Sequence, residues 1–256
     1  MIIVNIQGGL CNQLFQWACG FNLSKTQEVF FDLSFFANQF ANTIVTRREY
    51  LLDKILNINI PLLNNQTYQR FKQKPIEIIS DNFHYKDFNF KPDKNYILNG
   101  YWQSEKYFSQ YKNDIKNNFN WPEIKNFNFE HSCSIHVRRG DYIATQHVHP
   151  LQTIDYYKKA IEILNPKGNI FIFSDDINWC KSNLSFENCI FMENNTNIQD
   201  LKYMSLCKDN IIANSSFSWW AAFLNQNKNK KIICPKNWFS DHTNDSDIKN
   251  PNWIQI

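Results

Sequence analysis

The chain has 256 residues, of which 43% are hydrophobic and 16% aromatic, and its formal net charge is +3. This composition excludes an intrinsically disordered chain and is sufficient for one large core or two smaller ones. The low net charge, without a basic stripe, argues against a nucleic-acid-binding protein. The one short basic run, residues 228–231, is interpreted as a solvated loop.

The seven cysteines are odd in number and contain no C-x-x-C pair, which excludes a zinc knuckle and a thioredoxin-like motif. Several lie in apolar runs, where a free thiol packs as a small hydrophobic group. We therefore expect free thiols and a reducing, cytoplasmic setting. We also expect no secretory signal peptide, and no apolar run is long enough to cross a bilayer.

The first half opens with a strand–turn–helix–strand pattern. Ile2–Ile6 and Val29–Asp32 are predicted strands, and between them a glycine-containing turn at residues 7–13 leads into apolar residues at helical spacing. Such a unit is typical of a doubly wound α/β domain. The pattern is weak from residue 35 to residue 129. The elements predicted there are helices near Glu49–Leu56 and Glu105–Lys116 and a strand over Tyr96–Tyr101.

The second half alternates strands and helices strictly, which predicts a parallel sheet with right-handed crossovers. The predicted strands are Ser134–Arg138, Asn169–Phe173, Asn210–Ala213 and Lys231–Cys234. The predicted helices are Thr153–Leu164, with Thr153 as N-cap, a short helix capped by residues 174–176, Ile198–Cys207 and Phe217–Leu224. The polar stretch of residues 118–128 is the expected border, which divides the chain into domains 1–125 and 126–256.

The most informative segment is residues 134–142, a short apolar strand that carries His136 and ends in Arg138, Arg139, Gly140 and Asp141. Arginines at the carboxyl end of a strand point toward the crevice in which open α/β sheets bind ligands. A guanidinium binds phosphate oxygens in pairs. The alternative is an ordinary strand end with two solvated arginines. The clustering of His, two Arg, Gly and Asp favours a site for a phosphorylated ligand.

Three other features add to this interpretation. The turn Gly8–Gln13 is not a G-x-G-x-x-G fingerprint; it is either an ordinary turn that uses glycine for positive φ or a close backbone approach to a ligand beside Asn12. Ser215 and Ser216 open a predicted helix, either as simple caps or as a second anion site. Asp200, in a first helical turn, either complements the helix dipole or accepts hydrogen bonds from a guanine.

No metal site is predicted. Asp245 and Asp247 form a D-x-D pattern, but no apolar strand precedes them, so they are interpreted as a surface loop. His147 and His149 lack a third ligand nearby, which argues against zinc. The adjacent Trp219 and Trp220 are predicted to lie in the core rather than to form a sugar platform.

Residues 8–16, 136–142 and 211–220 together resemble glycosyltransferase family 11, the α-1,2-fucosyltransferases of bacterial surface-glycan synthesis. The resemblance implies an α/β fold with two Rossmann-like domains of the GT-B type, in which parallel sheets carry flanking helices. It implies inverting transfer of fucose from GDP-fucose to a galactose-terminated oligosaccharide, with no metal or other cofactor. The C-terminal domain would hold the donor, and the N-terminal domain would lie on the acceptor side.

The resemblance also implies which residues contact the donor. His136 would contact the nucleotide and Asp200 the guanine, and the phosphates would be bound by Arg138, Arg139, Ser215 and Ser216. Asn12 would reach the donor from the opposite domain. Asp141 is a candidate general base, or else a brace for the arginine loop, residues 138–141. Cys11 stands where the family usually has glycine, and a Cβ there would disfavour a positive φ.

The acceptor implied is a lipopolysaccharide or capsule precursor, which places the enzyme in the cytoplasm; peripheral association with the inner face of the membrane, through a lipid-linked acceptor, stays open. Two other classes also stay open. One is a nucleotide-sugar transferase of different sugar or linkage. The other is a nucleotide- or sugar-binding module without turnover.

Overall fold

The computed structural model describes residues 1–38, 47–241 and 243–256. The chain divides into two compact units. Unit 1 comprises Met1–Asn120 with Ser246–Ile248, and unit 2 comprises Trp121–Asp245 with Lys249–Ile256. Each unit has its own parallel sheet against which helices pack. The predicted α/β class with two Rossmann-like units, the plan of the GT-B type, is therefore confirmed.

Unit 1 has a four-stranded parallel sheet with the order β2-β1-β4-β3. Its strands are β1 (Ile2–Asn5), β2 (Val29–Asp32), β3 (Ile76–Ser80) and β4 (Asn95–Asn99). Its helices are α1 (Leu10–Leu23), α2 (Ser34–Asn38), α3 (Leu52–Ile55), α4 (Asn65–Phe71) and α5 (Lys112–Asn117), and short 3₁₀ turns cover Glu105–Tyr107 and Ser109–Tyr111. Strands β1 and β4 are the two central strands of this order, so the loops that follow them lie side by side at the carboxyl edge of this sheet.

The opening β1–α1–β2 prediction is confirmed, and the strand predicted at Tyr96–Tyr101 is β4, shifted toward the N-terminus. The helix predicted at Glu49–Leu56 shrinks to the single turn α3. The continuous helix predicted at Glu105–Lys116 is wrong, because Phe108 leaves the helical region at φ −146° and splits the segment into 3₁₀ turns and α5.

Helix α1 packs unusually close to the sheet. A Cβ added at Gly20 would lie 2.6 Å from the ring of Phe31 on β2 and 3.2 Å from Cγ2 of Val4 on β1. Cys11 lies inside α1, buried and with helical backbone, so the expected conflict between its Cβ and a positive φ does not arise. The residue of this turn that needs positive φ is Gly8, at +78°.

Unit 2 has a six-stranded parallel sheet with the order β10-β9-β8-β5-β6-β7. Its strands are β5 (Cys133–Val137), β6 (Ile170–Ser174), β7 (Cys189–Phe191), β8 (Asp209–Ile211), β9 (Ile232–Cys234) and β10 (Ile254–Gln255). Its helices are α6 (Ile154–Leu164), α7 (Ile177–Asn183), α8 (Asn197–Leu206) and α9 (Ser216–Leu224), and a 3₁₀ turn covers Gly140–Ile143.

The sequence prediction for unit 2 is confirmed to within about two residues at each end, except that the short strands β7 and β10 were missed. The predicted caps are present, since Thr153 accepts a hydrogen bond from the Tyr156 N–H and Asp176 accepts one from the Trp179 N–H. Trp219 and Trp220 are fully buried, as predicted. All seven cysteines are free thiols, also as predicted.

The basic run at residues 228–231 is only partly a solvated loop. Its neighbours are exposed, but the Lys230 ammonium donates hydrogen bonds to the carbonyl oxygens of Ala222 and Asn225 at the end of α9. A cation at a helix C-terminus satisfies orphan carbonyls and complements the helix dipole. Among the helices described here, none combines the length and the apolar character needed to cross a membrane.

The contact at Gly20 gives a test of the packing of unit 1. Gly20→Ala gains helix propensity but forces a methyl group against Phe31 and Val4, and we expect it to destabilise the protein by about 1–3 kcal/mol in urea unfolding. Asn22→Ala, on the same helix, is the matched control and should be near neutral. The Gly20→Ala penalty should shrink in a Phe31→Leu background. Unchanged stability of Gly20→Ala would contradict the close approach.

Candidate active site

The topology of unit 2 singles out one end of its sheet. After β5 the chain adds β6 and β7 on one side and then returns to place β8 on the other, so the strand order reverses at β5 and β8. The loops that follow these two strands flank the crevice where α/β sheets bind ligands. The predicted motif residues Arg138–Asp141 follow β5, and Asn214–Ser216 follow β8.

Arg138 is held by two carboxylates. Its Nη2 lies 2.6 Å from Oδ1 of Asp141, and its Nη1 lies 3.0 Å from Oδ2 of Asp175 at the end of β6. The guanidinium carbon lies 5.3 Å from the ring centre of Tyr142. A guanidinium has five N–H donors. These two bonds use one donor on each terminal nitrogen, so most of the donor capacity remains for a ligand.

Arg139 has different partners from Arg138. Its Nε lies 3.0 Å from Oδ2 of Asp176, and its guanidinium carbon lies 4.1 Å from the ring centre of Trp179 on α7. The hydrogen bond from Arg139 is the main cause that lowers the pKa of Asp176. The two guanidinium groups therefore bind different carboxylates, and that of Arg138 contacts Asp141 in the 3₁₀ turn that follows β5. A phosphate contact of Arg139 stays a prediction.

The carboxylates of Asp175 and Asp176 were predicted only as helix caps. Their sequence signal is two acidic residues directly after a buried strand. Because neighbouring parallel strands end at the same edge, this signal marks a position beside the arginine loop once β6 is known to pair with β5.

His136 lies on β5 and is 5% exposed, with its ring centre 5.5 Å from that of Phe217 in the first turn of α9. Burial, followed by the charge of Arg138, lowers its pKa to about 3, so the imidazole is neutral at physiological pH. Its Nδ1 is buried and has no hydrogen-bond partner in the described part of the chain. Buried polar atoms are normally satisfied. A ligand group or water at this position would satisfy His136.

The loop of residues 214–216 after β8, the serine loop, is bound to the arginine loop through Asn214. The Tyr142 hydroxyl donates to the carbonyl oxygen of Asn214 at 3.0 Å. The buried Asn214 amide donates to the carbonyl oxygen of Trp238 at 3.1 Å and accepts from Gln152 at 3.0 Å. Ser215 is the N-cap of α9, and its Oγ accepts a hydrogen bond from the Phe217 N–H. Ser215 therefore acts as a cap while the dipole of a nine-residue helix points into this edge.

Asp200 lies in the first turn of α8, which starts after the carboxyl end of β7. Its Oδ1 accepts a hydrogen bond from the Asn195 amide at 2.9 Å. Burial raises its pKa to about 6, while the Asn195 bond acts in the opposite direction. This hydrogen bond joins Asp200 to a near neighbour in the sequence. Direct contacts, by contrast, connect the arginine loop with His136 and the serine loop: Arg138 binds Asp141, Tyr142 binds Asn214, and His136 packs on Phe217.

In unit 1, the turn that follows β1 is held by buried side chains. Gln13 and Gln16 are fully buried and bind the backbone around the turn: Gln13 donates to the Gly8 carbonyl at 2.9 Å, and Gln16 donates to the Gly100 carbonyl at 2.9 Å. Asn12 accepts a hydrogen bond from the Gln103 amide at 2.9 Å. These contacts fix Asn12 at the N-terminal end of α1, and its contact with a donor stays a prediction.

The D-x-D segment is not the exposed loop that the sequence suggested. Asp247 is buried in unit 1, where Lys106 binds it at 2.5 Å and His84 at 2.6 Å. Burial alone raises the pKa of Asp247, but hydrogen bonds from Lys106 and from the Tyr85 N–H outweigh it and leave the pKa below its ordinary value. Asp245 binds Lys249 at 2.9 Å.

The histidines near the arginine loop form no metal site in the described structure. His149 stacks on Tyr142 with ring centres 4.6 Å apart. Over residues 1–38, 47–241 and 243–256, no group of three or more His, Cys, Asp or Glu side chains is arranged to hold a metal ion.

These features define a class of protein: an α/β protein of two Rossmann-like units, with a loop of paired arginines and aspartates at the switch point of the second sheet. The family model described as "Glycosyl transferase family 11" matches the whole chain, residues 1–256. The chain belongs to this family and is a glycosyltransferase.

Among the proteins similar to the chain are two curated relatives and two solved structures. An Escherichia coli alpha-1,2-colitosyltransferase is 29% identical, with 100% of this chain and 99% of the relative covered. The E. coli O-antigen biosynthesis glycosyltransferase WbnK is 37% identical over 49% of this chain and 44% of its own length. NodZ α-1,6-fucosyltransferase soaked with GDP-fucose gives a TM-score of 0.46 at 13% identity, over 87% of this chain and 91% of that one. E. coli heptosyltransferase WaaC with ADP gives a TM-score of 0.42 at 9% identity, over 100% of this chain and 90% of that one. These TM-scores are too low to bear on function.

The raised pKa of Asp200 predicts a pH-dependent stability. The folded state binds the Asp200 proton more tightly than the unfolded state, whose pKa is near 3.8, so this group stabilises the fold progressively as pH falls from about 6 toward 4. Asp200→Asn lacks this term. We therefore expect the melting temperature of wild type minus that of Asp200→Asn to be higher at pH 4.5 than at pH 7.5. A difference that is constant with pH would show that burial does not perturb Asp200.

Proposed function

We propose that the protein transfers L-fucose from GDP-fucose, with inversion, to the 2-hydroxyl of a terminal galactoside on a surface glycan, forming an α-1,2 linkage. The observation that carries the proposal is Arg138, a permanent positive charge held by two carboxylates at the switch point beside the start of α9. Family membership supports a nucleotide-sugar donor and a glycan acceptor.

Arg138 has the central chemical role in this proposal. As the bond between fucose and GDP breaks through an oxocarbenium-like transition state, negative charge develops on the β-phosphate. The remaining N–H donors of Arg138 and the N-terminus of α9 stabilise that charge, and the electrostatic gain is largest where water is excluded. We propose that no metal or other cofactor takes part.

In this proposal the other site residues bind the remaining parts of GDP-fucose. The neutral, unsatisfied imidazole of His136 binds the nucleotide, and Asp200 in its ionised form accepts the guanine N1–H and exocyclic amine. Ser215 and Ser216 lie at the phosphates, with Arg139 nearby, and Asn12 contributes from unit 1. Within this proposal Asp141 braces Arg138, because its Oδ1 is bound by that guanidinium.

The acceptor we propose is a galactose-terminated oligosaccharide of a lipopolysaccharide or capsule precursor, glycosylated in the cytoplasm at or near the inner face of the membrane. One supporting observation is that a curated relative similar over half of this chain is an O-antigen biosynthesis glycosyltransferase. A second candidate function is colitosyl transfer, because the relative similar over the full length is a colitosyltransferase.

A transfer assay separates these functions. The protein is incubated with GDP-fucose, the corresponding colitose donor, GDP-mannose or UDP-galactose and a panel of β-galactosides, with and without EDTA, and the product linkage is determined by NMR. We expect GDP-fucose to give an α-1,2-fucosyl product at a rate unchanged by EDTA. Exclusive use of the colitose donor would favour the second candidate. No turnover with any donor would favour a binding module, and strict Mn²⁺ dependence would overturn the metal-free proposal.

Arg138→Ala tests the central interaction. Loss of one charge-stabilising donor typically costs about 10²–10³-fold in kcat, and we expect at least that loss here. Arg138→Lys keeps the charge but loses the two-pronged geometry, so it should recover only part of the rate. Circular dichroism and the melting temperature check that both variants fold. Near-wild-type turnover of a folded Arg138→Ala protein would exclude the proposed role.

A further inference from the structure

Asp175 makes two contacts with the arginine loop. Its Oδ2 lies 3.0 Å from Nη1 of Arg138, and its Oδ1 accepts a hydrogen bond from the Arg139 backbone N–H at 2.9 Å. A single carboxylate at the end of β6 thus binds both the Arg138 side chain and the backbone of the loop that carries it. Since Asp141 binds the other terminal nitrogen, Nη2, the guanidinium is fixed at both of its ends.

Gly140 provides the space for this carboxylate. A Cβ built on Gly140 would lie 2.5 Å from Oδ2 of Asp175, closer than real Cβ contacts come, and 3.1 Å from its Cγ, which is tighter than most such contacts. The same Cβ would lie 3.8 Å from the Cβ of Asp175, an ordinary contact. A side chain at position 140 is therefore incompatible with the carboxylate group of Asp175 in this place, but compatible with a shorter residue 175.

The geometry points to Asp175 as a positioning residue that presets Arg138 for the diphosphate, an inference that rests on the proposed function. Two carboxylates bind the two terminal nitrogens of the Arg138 guanidinium. They also fix its direction, which matters most when charge develops in the transition state. Loss of Asp175 should therefore lower kcat while leaving donor binding nearly unchanged.

The kinetic test compares two neighbouring carboxylates. We expect Asp175→Asn to lower kcat about 10- to 100-fold, as small misplacements of catalytic groups do. The KM for GDP-fucose and the calorimetric Kd of GDP should stay within about threefold of wild type, since the Arg138 charge remains. Asp176→Asn removes the neighbouring charge from Arg139 and keeps a residue that can cap α7, so its kcat loss should be smaller. Equal losses in both variants, or an unchanged kcat in Asp175→Asn, would overturn the inference.

Gly140→Ala gives an independent variant. By displacing the Asp175 carboxylate, it should reproduce the kcat loss of Asp175→Asn. In an Asp175→Ala background the added methyl meets only the remaining Cβ, so Gly140→Ala should cause little further loss, and the two substitutions should be strongly non-additive. Additive losses would show that Gly140 acts on something other than Asp175.

A readout without turnover keeps this inference separable from the proposed function. The ¹⁵N NMR signals of the Arg138 side chain, assigned by comparison with Arg138→Lys, report how freely its guanidinium moves. We expect restricted motion in wild type and faster motion in Asp175→Asn, whichever sugar is transferred. Unchanged motion would overturn the positioning role, whereas absence of fucose transfer by wild type would reject only the proposed function.

Discussion

The central constraint in unit 2 is that the guanidinium of Arg138, which always carries a positive charge, must be held in one direction at the end of a buried strand. The loops around it are arranged to meet this constraint. Arg138 follows β5, and its charge is offset by one carboxylate from its own loop, Asp141, and one from the end of β6, Asp175. Partly buried ion pairs are stabilising only when their hydrogen-bond geometry is good. Here the pairs also fix the direction of the guanidinium, so the same contacts serve stability and the proposed chemistry.

In both units, buried amides hold a loop at the carboxyl edge of the sheet. In unit 1, Gln13 and Gln16 satisfy the backbone around the Gly8 turn, and in unit 2, Asn214 binds the backbone and side chains near the serine loop. A buried amide costs free energy unless its hydrogen bonds are made, so each of these side chains is compatible with few loop conformations. The loops at the carboxyl edges are therefore built as parts of the core, which suits sites that must position a ligand.

The sequence predicted unit 2 better than unit 1, for a physical reason. Strands β5, β6 and β8 are buried over all or nearly all of their length, and apolar residues mark them in the sequence, most clearly the run Ile170–Phe173 of β6. In unit 1, β3 is an edge strand exposed over most of its length, and α2 and α3 are shorter than two helical turns. Such segments carry little hydrophobic periodicity, and their conformation is decided by neighbours.

The amino-acid sequence alone was enough to indicate the family and the candidate site residues: Arg138 and His136 at one strand end and the serines that open α9. The pairing of the charges, by contrast, is visible only in the folded chain. Asp175 reaches the Arg139 backbone across 36 residues, and Lys106 reaches Asp247 across 141. Ion pairs depend on distance in space, which chain separation does not encode. The partners of Arg138, and the burial of an aspartate that the sequence placed on the surface, are therefore consequences of the fold.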